Sequence, residues 1–250
     1  MYNCRMKVSD VGEFGLIEVM ANIIDPKRKK GAQWPGLLLS IGDDAAVWRT
    51  DDVTQIFTTD SLIENVHFHL DTVSWEDLGW KALAVNLSDI AAMGGMPQYA
   101  IVALGLPQDT EVDCVARMYE GMAAIARKHH LVVVGGDTTS APVVMISVSL
   151  LGKALPDLSY PDNLLTRSAA HPGQCIAVTG YLGASGGGLR LLSRGIRPEE
   201  KAAWVLAKAH NHPTPRIMEG QILVRNGVRA AMDLSDGLMA DLPRLCQASK

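Results

Sequence analysis

The stretch from Leu37 to Phe68 constrains this chain more than any other. It reads Leu-Leu-Leu-Ser-Ile-Gly-Asp-Asp-Ala-Ala-Val-Trp and, after a polar break, Gln-Ile-Phe-Thr-Thr-Asp-Ser-Leu. Short apolar runs bounded by glycine and turn residues predict buried strands. Each run meets bare carboxylates: Asp43 and Asp44 in the first, Asp60 in the second. Their immediate neighbours are Gly42, Ala45, Thr59 and Ser61, so no adjacent Lys or Arg neutralises them. An unpaired charge at the rim of a core is costly. Two readings stay open. Gly-Asp is common turn chemistry, which fits Asp43 and Asp44 to a turn after a strand. A divalent cation fits as well, because Mg²⁺ takes one or two carboxylates and completes its shell with water and substrate phosphates.

The 250 residues, 48% of them hydrophobic, suffice for one large domain or two of ordinary size. A net charge of −4 and a pI near 6.0 give no footprint for nucleic acid. The one basic cluster, Lys27-Arg28-Lys29-Lys30, reads as a solvated loop. Cys4, Cys114, Cys175 and Cys246 are widely scattered without a CxxC pair, a pattern of reduced thiols rather than of disulfides or a zinc site. The N-terminus lacks an apolar signal core, and no apolar run approaches membrane-spanning length. The expectation is a soluble cytoplasmic protein with no membrane partner.

In chain order, Val11 to Ile24 predicts a first helix, followed by loop from Gly31 to Gly36 and the two carboxylate-bearing strands. A long apolar helix runs from Trp75 to Met93, with Ser74 and Asp77 as a capping box and Gly94-Gly95 as its stop. Asn86 and Asp89 fall three apart on it and share a face. They are either held for a partner or part of a solvent-facing stripe. Gln98 to Leu106 predicts a strand, Val112 to His130 an amphipathic helix, and Leu131 to Val134 a buried strand ending at Gly135-Gly136-Asp137. Open α/β sheets place ligands at such strand ends. Val143 to Leu151 adds a strand. Leu155 to Asn163, with Pro156 and Pro161, is the linker candidate. Beyond it come a strand from Cys175 to Thr179, the run Gly180 to Gly188 leading into a helix, helices at Pro198 to His210 and Pro215 to Asn226, then Asp233-Leu-Ser235-Asp236. A last helix is barely under way at Lys250. The glycine run lacks the Gly-Lys-Ser/Thr of a P-loop, and close strand–helix packing explains it as well as phosphate binding. The order of elements indicates a mixed α/β (α+β) fold.

Asp44, Asp60, Asp89, Asp137, Asp233 and Asp236 are thus expected at element ends or on an apolar helix, with small or hydroxyl neighbours. A shared multi-metal phosphate site accounts for them better than six separate structural accidents.

Ile41-Gly42-Asp43-Asp44-Ala45, Thr58-Thr59-Asp60-Ser61-Leu62, Val66-His67-Phe68, Lys81 to Gly94, Gly135 to Thr139 and Asp233 to Leu238 occur in this order. Together with Gly12-Glu13-Phe14 and Pro213-Thr214-Pro215-Arg216, they make the chain resemble the thiamine-monophosphate kinase family of the AIR synthase superfamily, from about Gly12 to the last residue. The resemblance implies transfer of the ATP γ-phosphate, in line and assisted by several Mg²⁺ ions, to thiamine phosphate. Asp44, Asp60, Asp89, Asp137, Asp233 and Asp236 would hold the metal, with oxygens from Thr58 and Thr59. Of these, Asp44, Asp60, Asp89, Asp137 and Asp233 would be the catalytic set. Gly136, Asp137, Arg167 and Ser235 would contact the nucleotide, Tyr119 would stack near the adenine, and His67 would lie near the thiamine phosphate. A monovalent-cation requirement stays open. The implied architecture is an AIR-synthase-like domain over 1–153 whose sheet forms a barrel across a homodimer, a linker over 154–164, and an incomplete second domain over 165–250.

Ala169 and Gln174 depart from the family's usual Gly and Asp. Lys250 also falls short of a Gly-Gly-Glu-Asp-Tyr-like motif and an aromatic that family members place near the thiamine, so a C-terminal piece is expected to be missing. Two other readings compete. One is a different superfamily enzyme, such as AIR synthase or selenophosphate synthetase, for which Cys4 in a polar leader is a poor nucleophile. The other is a non-catalytic Mg-nucleotide-binding module.

Overall fold

The computed structural model describes residues 7–24, 36–158, 160, 163–196 and 200–250. Cys4, the basic cluster Lys27 to Lys30, most of the Gly31 to Gly36 loop, Pro161 and Pro198 lie outside them.

A first helix, α1 (Val8–Ile24), is kinked at Gly12, whose φ of 67° suits a residue without Cβ. Three strands follow where the sequence predicts two: β1 (Leu37–Leu39), β2 (Ala46–Thr50) and β3 (Val53–Ile63). The extra division comes from a two-residue hairpin turn at Asp51-Asp52, in which Asp51 takes φ 53° and Thr50 faces Val53. Next come α2 (Trp75–Ala92), β4 (Met96–Leu106), α3 (Val112–Lys128), β5 (Val132–Ser140) and β6 (Met145–Lys153). The strands form one six-stranded sheet in the order β1-β2-β3-β6-β4-β5. β6 lies antiparallel to both β3 and β4. β4 and β5, joined through α3, are the one parallel pair among the described strands. Two acids therefore sit differently from expectation. Asp60 lies inside β3, and β5 runs on through Gly135, Gly136 and Asp137 because all three pair in register with β4.

One face of the sheet carries the core. Ile56, Val102, Ile146, Val148 and Leu150 point from it into a cluster with Leu83, Leu87 and Ile90 of α2 and Met122 and Ile125 of α3. Ser74 caps α2 by accepting from the Asp77 N–H at 3.0 Å, as its sequence predicts. The α2–α3 contact depends on two glycines. A Cβ on Gly79 would stand 1.8 Å from the Met118 carbonyl oxygen, and one on Gly121 would stand 1.9 Å from that of Glu76. The opposite face leaves Phe57, Tyr99, Ile101, Val132, Val134 and Met145 exposed.

The remainder is helical: a 3₁₀ turn at Arg167–Ala169, then α4 (Ala184–Leu192), α5 (Lys201–Asn211), α6 (Ile217–Arg225) and α7 (Leu238–Ser249). α6 lies against α2 at Gly220, where a Cβ would meet the Ala91 carbonyl oxygen at 2.1 Å. α7 is a helix of 12 residues, longer than the sequence suggests. Cys175 to Thr179 does not form the expected strand. No described strand lies beside it, so the segment has no ladder to join and its Ile176 and Val178 stay exposed.

Gly79→Ala is expected to unfold at a lower denaturant midpoint, with a loss of about 3 kcal/mol, the upper range for overpacking a core that must shift backbone to accept a methyl. Circular dichroism during a urea titration measures it.

Candidate active site

The acids converge at one end of α2. Carboxylate oxygens of Asp44, Asp89 and Asp233 lie within 4.8 Å of one another, although they come from the β1–β2 turn, the helix and the loop before α7. Asp89 accepts from the Thr58 hydroxyl at 2.5 Å, which ties α2 to β3. Asp233 accepts from the Ser88 hydroxyl at 3.0 Å. Asn86 is wholly buried and accepts the backbone N–H of Asp60 at 3.0 Å. The polar face of α2 is therefore held for partners rather than turned to solvent.

Sequence reasoning found no base beside these acids, and the fold brings one from far along the chain. Arg167 donates through Nε to Asp44 Oδ1 at 2.9 Å and also through Nη2, while its backbone N–H lies 3.2 Å from Asp43 Oδ2. Asp43 and Asp44 are thus both a turn and part of a site. The pairing is one-sided: the Asp44 side chain is fully buried, and its Oδ2 meets no donor among the described residues. A buried carboxylate oxygen without a partner is an acceptor with room for a cation.

Crowding shows in the protonation equilibria. Burial, the largest cause in each case, pushes Asp44 up to about 7, Asp60 to about 6 and Asp89 to about 9, and the charge of Asp233 adds to all three. Burial raises Asp233 and Asp43 too. Glu13 of α1 contributes to the rise at Asp60, which places Gly12-Glu13-Phe14 beside the same site. An oxygen-lined pocket that prefers protons to bare charge is suited to a hard divalent cation. Glu13, Asn86 and Ser88 were not among the predicted site residues, and the shared face of Asn86 and Asp89 was the available signal for Asn86; Asp43 was singled out only as one of two bare acids open to a turn or a cation.

Other predicted residues lie apart. Thr59 is on the opposite sheet face, donating to the Val148 carbonyl and accepting from Ser149. Asp137 is exposed on β5, in register with Ala103, Ser147 and Ser61, three strand spacings or about 14 Å across the sheet from β3. Gly136 is needed for packing as well, since a Cβ there would meet the Val102 carbonyl oxygen at 1.9 Å. Tyr119 is 37% exposed on α3. Ser235 is exposed, and Asp236 is engaged by Arg244, whose Nη1 donates to it at 2.8 Å. His67 accepts the Ile63 N–H at 3.0 Å and lines a pocket of about 110 Å³ with Leu189 and His210. Ile63 is three residues along β3 from Asp60, roughly 10 Å. A larger cleft of about 900 Å³, lined by Asp77, Trp204 and Lys208, opens at the other end of α2.

Most of the mixed six-stranded sheet, with the helix that covers it, falls in a segment similar to AIR-synthase-related proteins. The AIR synthase related protein, N-terminal domain family matches residues 42–154. Thiamine-monophosphate kinase of Aquifex aeolicus is 35% identical over 244 residues, covering 98% of this chain and 73% of its own length. That of Bacillus subtilis is 37% identical over 215 residues, covering 84% and 65%. The solved structure of AaThiL complexed with AMPPCP and TMP superposes with a TM-score of 0.85 at 34% identity, covering 99% of this chain and 73% of that one. The chain belongs to the thiamine-monophosphate kinase family. It spans about two thirds of the length of the curated relatives it matches.

Asp89 holds a proton up to about pH 9 in the fold but ionises near 3.8 when unfolded, so metal-free stability falls as pH rises between those values. Asp89→Asn removes part of that fall. In chelator at pH 8 its Tm is expected about 2–4 °C above the parent, with a smaller gain at pH 5, by differential scanning calorimetry.

Proposed function

We propose that this chain phosphorylates thiamine phosphate to thiamine diphosphate with ATP, by in-line transfer of the γ-phosphoryl group. The observation that carries the reading is the convergence of Asp44, Asp89 and Asp233 beside Asp60, with a buried Asp44 oxygen left without a donor. The family resemblance supports ATP and thiamine phosphate as substrates, since the AaThiL relative is complexed with AMPPCP and TMP.

Two polyanions must meet, and like charges about 4 Å apart repel by ~1 kcal/mol even in water. Mg²⁺ bound by Asp44, Asp60, Asp89 and Asp233 would offset that repulsion and stabilise charge on the moving phosphoryl group. The attacking phosphate oxygen is already ionised, so the chain needs no general base. Arg167, the counter-charge of Asp44, would also contact the nucleotide phosphates. Asp236 and Ser235, beside Asp233 in sequence, extend the set toward the nucleotide. His67, near the end of β3, faces the thiamine side.

Gly136, Asp137 and Tyr119 are assigned to the nucleotide, and Thr59 and Asp137 to the metal, within a homodimer. The uncovered sheet face with Tyr99, Ile101, Val132 and Val134 supports a second copy there, closing a barrel. The domain division at 153 and 165 is supported by the end of β6 at Lys153 and the start of the 3₁₀ turn at Arg167. Cys114, Cys175 and Cys246 are free thiols, which suits the cytoplasm, and no described helix is long and apolar enough to cross a membrane. A monovalent-cation requirement belongs to the same reading and is tested by exchanging K⁺ for Na⁺ in the assay.

Mg-ATP with thiamine phosphate is expected to give ADP and thiamine diphosphate in equal amounts, and Asp60→Asn to lower the rate at least 100-fold. Nucleotide binding without ADP release would instead identify a binding module.

Ile101→Asp is expected to convert a dimer to a monomer by sedimentation equilibrium; a parent chain that is already monomeric would remove the homodimer from the proposal.

A further inference from the structure

The carboxylates of the site come from distant parts of the chain, yet two of them are tied to the same two turns of α2. Asn86 is wholly buried, and both ends of its amide are used: Oδ1 accepts the Asp60 N–H at 3.0 Å, and Nδ2 donates to the Ala82 carbonyl at 3.1 Å. The opposite amide orientation would set a donor against a donor, so the partners decide it. Asp60 has particular need of this acceptor. β2 stops pairing with β3 at Phe57, three residues earlier, so β3 at Asp60 has a strand neighbour only in β6. The α2 side chain stands where the missing strand would be.

Ser88 does the same work on the other side. Its hydroxyl donates to Asp233 Oδ2 at 3.0 Å, across 145 positions of sequence. That restrains the carboxylate's rotation and leaves Oδ1 outside this hydrogen bond. At about 100° per residue, Asp89 falls between Asn86 and Ser88 around the helix. One rigid surface thus presents its own acid flanked by two hydrogen bonds, each holding an acid from elsewhere.

We infer that Asn86 and Ser88 are positioning residues: they set the spacing of Asp60 and Asp233 about Asp89, and with it the cation affinity of the site. The inference rests on the cation reading of the acid cluster and not on the identity of the phosphate acceptor. Outer partners that orient carboxylate ligands change metal affinity by roughly 10–100-fold when removed.

The test is calorimetric titration of the full chain with Mn²⁺ alone, together with the Tm in chelator and the Mg²⁺ dependence of ADP formation. Ser88→Ala is expected to weaken Mn²⁺ binding about 10-fold while the chelator Tm stays at the parental value. Half-saturating Mg²⁺ should rise by the same factor with an unchanged KM for thiamine phosphate. Ser88→Thr, which keeps the hydroxyl, should restore parental affinity. Asn86→Ala should lose affinity likewise, with a lower Tm because it leaves the Asp60 N–H unpaired, and is titrated well below that Tm. Parental Mn²⁺ affinity in Ser88→Ala, or equal losses in the Ala and Thr variants, would overturn the inference. A parent that binds Mn²⁺ but forms no ADP would overturn the kinase reading alone. A parent that binds no Mn²⁺ would remove the cation reading and this inference together.

Discussion

Mutual repulsion among buried carboxylates is the constraint on which the rest of this structure depends. Asp44, Asp89 and Asp233 share a space under 5 Å across, with Asp60 close enough to feel the same charge. Such a group opposes folding whenever it ionises, because a buried like-charged set has little solvent to screen it. The fold holds it together with neutral donors, Thr58 and Ser88, and with a single guanidinium from Arg167. These partners orient the oxygens without satisfying them all. What remains is a set of acceptors, one of them buried without a donor, that a multivalent cation would stabilise under the proposed function.

The scaffold that tolerates this strain is rigid where it matters. α2 is apolar around most of its circumference, anchored on the sheet by Leu83, Leu87 and Ile90 and on α3 through Gly79 and Gly121. It is also pinned by α6 at Gly220. The close approaches leave little freedom to shift, which is why three polar residues near its C-terminal end can act as fixed points. The proposed phosphoryl transfer would give this arrangement a chemical purpose. Phosphoryl transfer between two polyanions asks for positioned positive charge more than for a proton acceptor.

Much was legible in the residues alone. The apolar runs predicted most strands, Ser74 and Gly94 marked the ends of α2, and of the bare acids Asp44, Asp89 and Asp233 converge while Asp137 lies apart. The Asn86–Asp89 spacing put both on one face and left open whether that face met partners or solvent. Strand boundaries were less legible. The β2–β3 hairpin turns on two aspartates rather than on glycine, and β5 continues through two glycines because β4 supplies a ladder that local propensity does not record. Cys175 to Thr179 failed for the converse reason: a β-like composition forms a strand only where a neighbour offers hydrogen bonds.

The sequence by itself determined which groups would be ionisable, which elements would be amphipathic, and the family to which their order belongs. Those properties are local or follow from residue identity. Only the tertiary structure decided that Arg167 would neutralise Asp44 across 123 positions, that Asn86 would replace a missing strand at Asp60, and that Asp137 would face the other side of the sheet. Such pairings depend on which elements the core brings into contact. Spacing along the chain carries no information about distances set by packing.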